Sequence, residues 1–190
     1  LVGGYESRTA MGPSRQPAAV AFTGSQRGGL ALWRIACGRD VVIPVFAEMG
    51  TVNPVVVTPG GAQRLQDVVA GFVGSFTLGT GQYCTKPGLL LAPAGSGAAK
   101  VVGEALNAAG PQGWVLTEQI AHDVRAGMEA LMAAGAEVVA QIAAPGSGWG
   151  AAATVLAVPA QRLRRGSRLL EECFGPVALV AEYTDEVELA

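Results

Sequence analysis

Apolar residues recur along this chain in two rhythms. In one they stand side by side in short runs. These are Ala18–Phe22, Val41–Phe46 with Pro44 inside it, Val55–Val57, Leu89–Leu91, Ala152–Val158 and Val177–Tyr183; Glu137–Ile142 has the same character. Runs of that length, rich in β-branched residues and bounded by Gly or Pro, predict strands covered on both faces. In the other rhythm apolar positions step by three and four. From about Ala62 to Leu78 the stripe is Leu65, Val68, Val69, Phe72, Val73 and Phe76, and the pattern stops at Gly79. From about Thr117 to Ala134 it is Ile120, Val124, Met128 and Leu131, stopping at Gly135. A third helix is predicted over 26–37, with Ser25 as N-cap, Leu30, Trp33 and Cys37 on its apolar stripe, and Gly38 as its stop; a fourth covers 96–109. Gly146–Gly150 reads as a loop and Gln161–Leu170 as a polar, basic surface connection. Strand and helix alternate, so the expected fold class is α/β: three layers, αβα, around a mostly parallel sheet.

Composition narrows the function classes. Half of the 190 residues are hydrophobic, 6% are aromatic and 27 are glycine, as in tightly packed α/β proteins. The formal net charge is −2 and there is no basic block, which argues against nucleic acid as a partner. No apolar run approaches the ~20 residues a membrane-spanning helix needs. The first residues lack the basic start and long apolar stretch of a signal peptide. They also lack an initiator Met, so the chain is expected to be a piece of a longer protein. Cys37, Cys84 and Cys173 are odd in number and form no CxxC pair, which suits reduced thiols in a cytoplasm. With one histidine, His122, placed opposite the apolar stripe of its helix and given no role, a zinc site is not expected.

Two segments carry candidate chemistry. Cys84 lies in the glycine-rich run Gly79-Thr80-Gly81-Gln82-Tyr83-Cys84-Thr85, directly after the best-patterned helix. Glu48 ends a strand in Phe46-Ala47-Glu48-Met49-Gly50-Thr51-Val52-Asn53-Pro54. A thiol on a tight loop and a carboxylate at a strand end are the parts needed for covalent chemistry on a carbonyl: the thiolate attacks, and the carboxylate activates water to release the acyl group. Taken alone, a cysteine is more often a small buried hydrophobe, and a glutamate at a strand end is more often solvated.

Four motifs in order change that balance. Phe22-Thr23-Gly24-Ser25, the Glu48 segment through Asn53-Pro54, Gly81-Gln82-Tyr83-Cys84-Thr85, and Glu171-Glu172-Cys173-Phe174-Gly175-Pro176 together resemble the aldehyde dehydrogenase superfamily. The resemblance runs over nearly the whole chain, and the chain corresponds to less than half of a full-length member. It implies the fold of that family's catalytic domain, with 1–38 as the end of the cofactor-binding domain and 39–190 as catalytic domain. It implies Cys84 as the nucleophile that forms a thiohemiacetal and then a thioester, with hydride passing to a nicotinamide. The Cys84 backbone N–H is one expected oxyanion donor; the family's second, an Asn side chain, comes from a region this chain does not contain. Glu48 is implied as the base that activates the deacylating water. Glu172 is expected to hold the nicotinamide ribose hydroxyls and Phe174 to pack on that ribose and ring. Gly24 and Ser25 are placed near the cofactor pyrophosphate at a helix start, where free N–H groups favour anions, and Met49 and Gly50 also beside the cofactor. Gly28-Gly29 forms no GxGxxG element. Cys37 and Cys173 are expected in the core.

Thr51 and Val52 stand where the commonest family pattern has Gly and Lys. A small residue followed by an apolar one, together with Tyr83-Cys84-Thr85-Lys86-Pro87-Gly88, resembles the branch containing α-ketoglutaric semialdehyde (2,5-dioxopentanoate) dehydrogenases and a bacterial NADP-preferring fatty aldehyde dehydrogenase. By resemblance the substrate is α-ketoglutaric semialdehyde or an aliphatic aldehyde, and the cofactor is NADP or NAD, with NADP favoured. The protein is expected as a homo-oligomer, dimer or tetramer, with 62–78 at the interface. Two alternatives stay open: an acylating relative that passes the thioester to coenzyme A, and an inactive module serving only assembly.

Overall fold

The computed structural model describes residues 17–189. The chain forms two compact units, one ending at Gly50 and one beginning at Thr51. The first runs past Gly38 because β1 (Val20–Thr23) pairs in parallel with β2 (Val45–Glu48), in register from Val20↔Val45 to Thr23↔Glu48.

Between these strands lies α1 (Gln26–Cys37), capped by Ser25, whose hydroxyl accepts from the Gly28 N–H at 3.2 Å. The expected stripe of Leu30, Trp33 and Cys37 is not the buried one. Gly29, Leu32 and Ala36 face inward, Trp33 is 52% exposed, and Cys37 is exposed rather than in the core. The reason is close packing: a Cβ on Gly29 would lie 2.6 Å from Met49 Sδ, so the helix sits down on its smallest residues. The expected strand over Val41–Phe46 is also shorter and later. Pro44 has no N–H to give a ladder, so pairing begins at Val45 and Val41 is left 74% exposed.

The second unit is built on a five-stranded sheet of order β3-β4-β9-β8-β6. Its strands are β3 (Pro54–Val56), β4 (Leu89–Pro93), β6 (Glu137–Ile142), β8 (Ala153–Ala157) and β9 (Val177–Tyr183). The pairs β3–β4, β4–β9 and β9–β8 are parallel; β6 pairs antiparallel with β8. A two-stranded ribbon pairs β5 (Gly113–Trp114) with β7 (Gly150–Ala151).

Helices cover both faces of the sheet, as the continuous apolar strands require. Leu90, Ala92, Ala178 and Val180 point to one side, against α2 (Leu65–Thr77) and α3 (Ala98–Ala109). There Leu65, Val69, Phe72, Val73 and Phe76 of α2 meet Val102 and Leu106 of α3. Leu89, Leu91, Leu179 and Ala181 point to the other side, against α4 (Glu118–Ala133), which contributes Ala121, Val124 and Leu131. The segment Gln161–Leu170 is less superficial than its polar sequence implies, since Leu169 is 2% exposed and belongs to this second core. Glu182 on β9 holds the start of α3: its carboxylate accepts from the Gly95 N–H at 3.0 Å and the Ala98 N–H at 2.9 Å, where the helix dipole favours an anion.

Candidate active site

Cys84 is positioned by the way α2 ends. The helix stops at Thr77 and tightens into the 3₁₀ turn Leu78–Gly81, in which Gly79 (φ 54°) and Thr80 (φ 58°) both turn left-handed. The following residues are held by side chains rather than by a strand ladder. Gln82 donates through Nε2 to the carbonyls of Gly79 (2.9 Å) and Trp114 (3.3 Å), and accepts through Oε1 from the Leu116 N–H (2.9 Å). Asn53, itself left-handed at φ 48°, donates through Nδ2 to the carbonyls of Cys84 (2.8 Å) and Lys86 (3.1 Å). The Gly88 N–H donates to the Val52 carbonyl at 2.7 Å, which delivers the loop into β4. Cys84 is thus gripped by its backbone while its side chain stands exposed to solvent.

Gly81 has no room for a side chain. At φ 68° a side chain there is strained, and a Cβ would run into the backbone of Gly175 and lie 2.6 Å from Pro176 N. This is the point where the Cys84 loop touches the Glu172-to-Pro176 segment. Gly81→Ala is expected to cost about 2–4 kcal/mol, from a left-handed non-Gly residue plus a backbone shift. In a melt that reads as a Tm roughly 5–15 °C lower; an unchanged Tm would show that the two segments can move apart freely.

Lys86 is the least expected feature. It is 3% exposed, and its Nζ donates to the carbonyls of Cys173 (2.9 Å) and Val177 (2.8 Å). Burial pushes its ammonium below the usual lysine range, opposed by the charges of Cys173 and Glu172. Glu172 is half-buried; burial pushes its carboxyl up, while Lys86 pulls it back down. Phe174 keeps 38% of its surface exposed. Cys173 is 7% exposed, as expected of a core residue, and burial raises its thiol. A shallow cavity is lined by Thr51, Val52, Lys86, Glu171, Glu172 and Cys173, among others.

The remaining predicted site residues lie in the first unit. Gly24 follows β1 and its N–H donates to the Glu48 carbonyl at 3.0 Å, so Gly24, Ser25 and Glu48 are neighbours there. Glu48 is exposed, Met49 packs on Gly29, and Gly50 ends the unit. Cys84, Glu172 and Phe174 belong to the second unit, where Lys86 Nζ bonds the Cys173 carbonyl and Gly81 lies against the backbone of Gly175. His122 is exposed beside Asp123. Gln82, Asn53 and Lys86 stand inside the motifs, where the sequence alone assigns them no task. Their distant partners lie 31 or more residues away for Asn53, Gln82 and Lys86 alike, beyond the reach of any local pattern.

Similarity to known proteins shows the family of this chain. The sequence model of the aldehyde dehydrogenase family matches residues 1–190. The chain is 40% identical over 182 residues to α-ketoglutaric semialdehyde dehydrogenase 2 of Azospirillum brasilense, which covers 90% of this chain and 34% of that protein. It is 35% identical over 177 residues to α-ketoglutaric semialdehyde dehydrogenase of Acinetobacter baylyi, with the same coverage of each. The chain therefore spans about a third of the length of these relatives. Among solved structures, aldehyde dehydrogenase C of Pseudomonas syringae, a mutant complexed with NAD+ and octanal, superposes with a TM-score of 0.79 at 21% identity, covering 95% of this chain and 39% of that one. An NAD-dependent aldehyde dehydrogenase of Sinorhizobium meliloti gives 0.74 at 24% identity, covering 96% and 38%. Those identities speak for the fold alone, but the family match extends over every residue discussed, and on it the chain belongs to the aldehyde dehydrogenase family.

Proposed function

We propose that this chain carries the catalytic machinery of an enzyme that oxidises an aldehyde to a carboxylic acid with NAD(P)+ and water. The observation that carries the reading is the exposed Cys84 thiol on a backbone held by Asn53 and Gln82. A nucleophile so held keeps its geometry while its side chain stays open to substrate. Attack of the Cys84 thiolate on the aldehyde gives a thiohemiacetal whose oxyanion is held by the Cys84 N–H and a second donor outside this chain. Bound nicotinamide would accept the hydride. Glu172 would orient the ribose, Phe174 would cover its apolar face, and Gly24, Ser25, Met49 and Gly50 would line the cofactor's path. The thioester left on Cys84 is released by water that Glu48 deprotonates.

α-Ketoglutaric semialdehyde is the favoured substrate, because relatives 40% and 35% identical to this chain are named for that aldehyde. An aliphatic aldehyde is the second choice, NADP is the cofactor put ahead of NAD, and three free thiols suit a cytoplasmic protein. Reduced-nicotinamide absorbance, followed with the complete polypeptide, NADP+ or NAD+ and this semialdehyde, tests the reading. Turnover supports it. No turnover with it or with a panel of aliphatic aldehydes, with either cofactor, leaves the inactive module.

The outward face of α2 carries Ala70, Gly71, Gly74 and Ser75, all exposed, and a Cβ on Gly71 or Gly74 would meet nothing within 4 Å. This face is proposed as the contact between copies in a homo-oligomer. Gly74→Trp should then shift the complete protein to a smaller species by light scattering; an unchanged mass would remove α2 from the interface.

A further inference from the structure

The mechanism above uses the groups on either side of Lys86 but not Lys86 itself. Its position is nonetheless costly. A lysine ammonium is strongly hydrated, and burying it is tolerated only where its donors are met. Here Nζ is met by two backbone carbonyls, those of Cys173 at 2.9 Å and Val177 at 2.8 Å. Neither belongs to its own loop. The Cys173 carbonyl lies between Glu172 and Phe174 in the chain, and the Val177 carbonyl opens β9. At its other end, the Lys86 carbonyl is held by the same Asn53 amide that holds the Cys84 carbonyl. One residue thus joins the backbone that presents the thiol to the backbone that presents the ribose carboxylate and ring. A hydrophobic side chain of the same length would fill the space and leave both carbonyls without this donor.

We propose, resting on the reading of Cys84 as nucleophile and Glu172 as ribose ligand, that Lys86 is a positioning residue: it clamps the Glu172–Phe174 segment to the Cys84 loop, so that the cofactor is seated in register with the thiol. The clamp acts on the cofactor side. The thiol side keeps Asn53 and Gln82 when Lys86 is changed, so the loss falls on cofactor affinity more than on the chemical step.

The test uses the complete polypeptide, with Lys86→Met, an unbranched apolar chain one atom shorter that removes the donors, and Lys86→Gln, which keeps two N–H donors at that same shorter reach. Lys86→Met is expected to raise the KM for NAD(P)+ about tenfold or more, with kcat at saturating cofactor within about threefold. Backbone amides over 172–177 should exchange with solvent faster in that variant, and Lys86→Gln should fall between the two, with KM up about threefold. A merely structural lysine would lower Tm and leave the KM of the folded enzyme unchanged. Parent-like KM and parent-like exchange in Lys86→Met overturn the proposal. If Lys86→Met does not fold, Lys86→Gln decides, and an unchanged KM and exchange there overturn it equally. If the parent itself shows no cofactor-dependent turnover, the functional reading falls and the exchange measurement alone judges the clamp: faster exchange upholds it, unchanged exchange ends it.

Discussion

Replacing Cys84 with Ser should lower kcat by about 10⁴-fold or more, because removing the nucleophile of a covalent mechanism leaves only binding and oxyanion stabilisation. The fold should not change. The side chain is exposed, and the contacts that hold this stretch go to the backbone carbonyls of Cys84 and Lys86 and to the side chain of Gln82. The readout is reduced-nicotinamide formation together with a melt. A Cys84→Ser protein that keeps more than about a hundredth of parental turnover would rule out the thiol as nucleophile. Cys37 is also exposed, so a thiol reagent would modify both, and peptide mapping must accompany any inactivation experiment.

Glu48→Gln is expected to slow steady-state turnover by about 10²–10⁴-fold while sparing the first hydride transfer. The base acts only on the deacylating water, so the variant should release close to one reduced nicotinamide per site in a burst and then stall. The fold should again be unaffected. Glu48 is exposed, and the contact it makes with the Gly24 N–H is through its backbone carbonyl, which Gln retains. A Glu48→Gln enzyme with parental steady-state rate would remove Glu48 as base. If turnover also required coenzyme A, the acylating reading would replace the hydrolytic one.

How much of this was legible beforehand depended on how local the cause was. The α2 helix was readable to within a few residues because its stripe from Leu65 to Phe76 is itself the face that packs. The buried strands β4, β8 and β9 were readable because a strand covered on both faces is a near-continuous apolar run. The same reasoning failed at α1. There the larger residues Leu30, Trp33 and Cys37 do step at helical spacing, yet the packed face is Gly29, Leu32 and Ala36. Periodicity reports which residues are apolar, whereas the packed face is set by what lies against it, and the side chain packed on Gly29, that of Met49, is remote in sequence.

The site divides in the same way. Cys84 and Glu48 were nameable because covalent chemistry on a carbonyl demands a thiol and a carboxylate; Glu172 and Phe174 were nameable only because the four motifs in order resemble the aldehyde dehydrogenase family. Local pattern therefore determined the α/β class and the elements of the main sheet and its helices, and the family resemblance of the motifs supplied the list of candidate reactive groups. Tertiary structure decided the strand order β3-β4-β9-β8-β6, the inward face of α1, the burial of Lys86 and the meeting of Gly81 with Gly175. The physical reason is that an element's propensity is set by its own few residues. A buried lysine's partners, or the one glycine that lets two backbones touch, are fixed only when segments some ninety residues apart in the chain pack together.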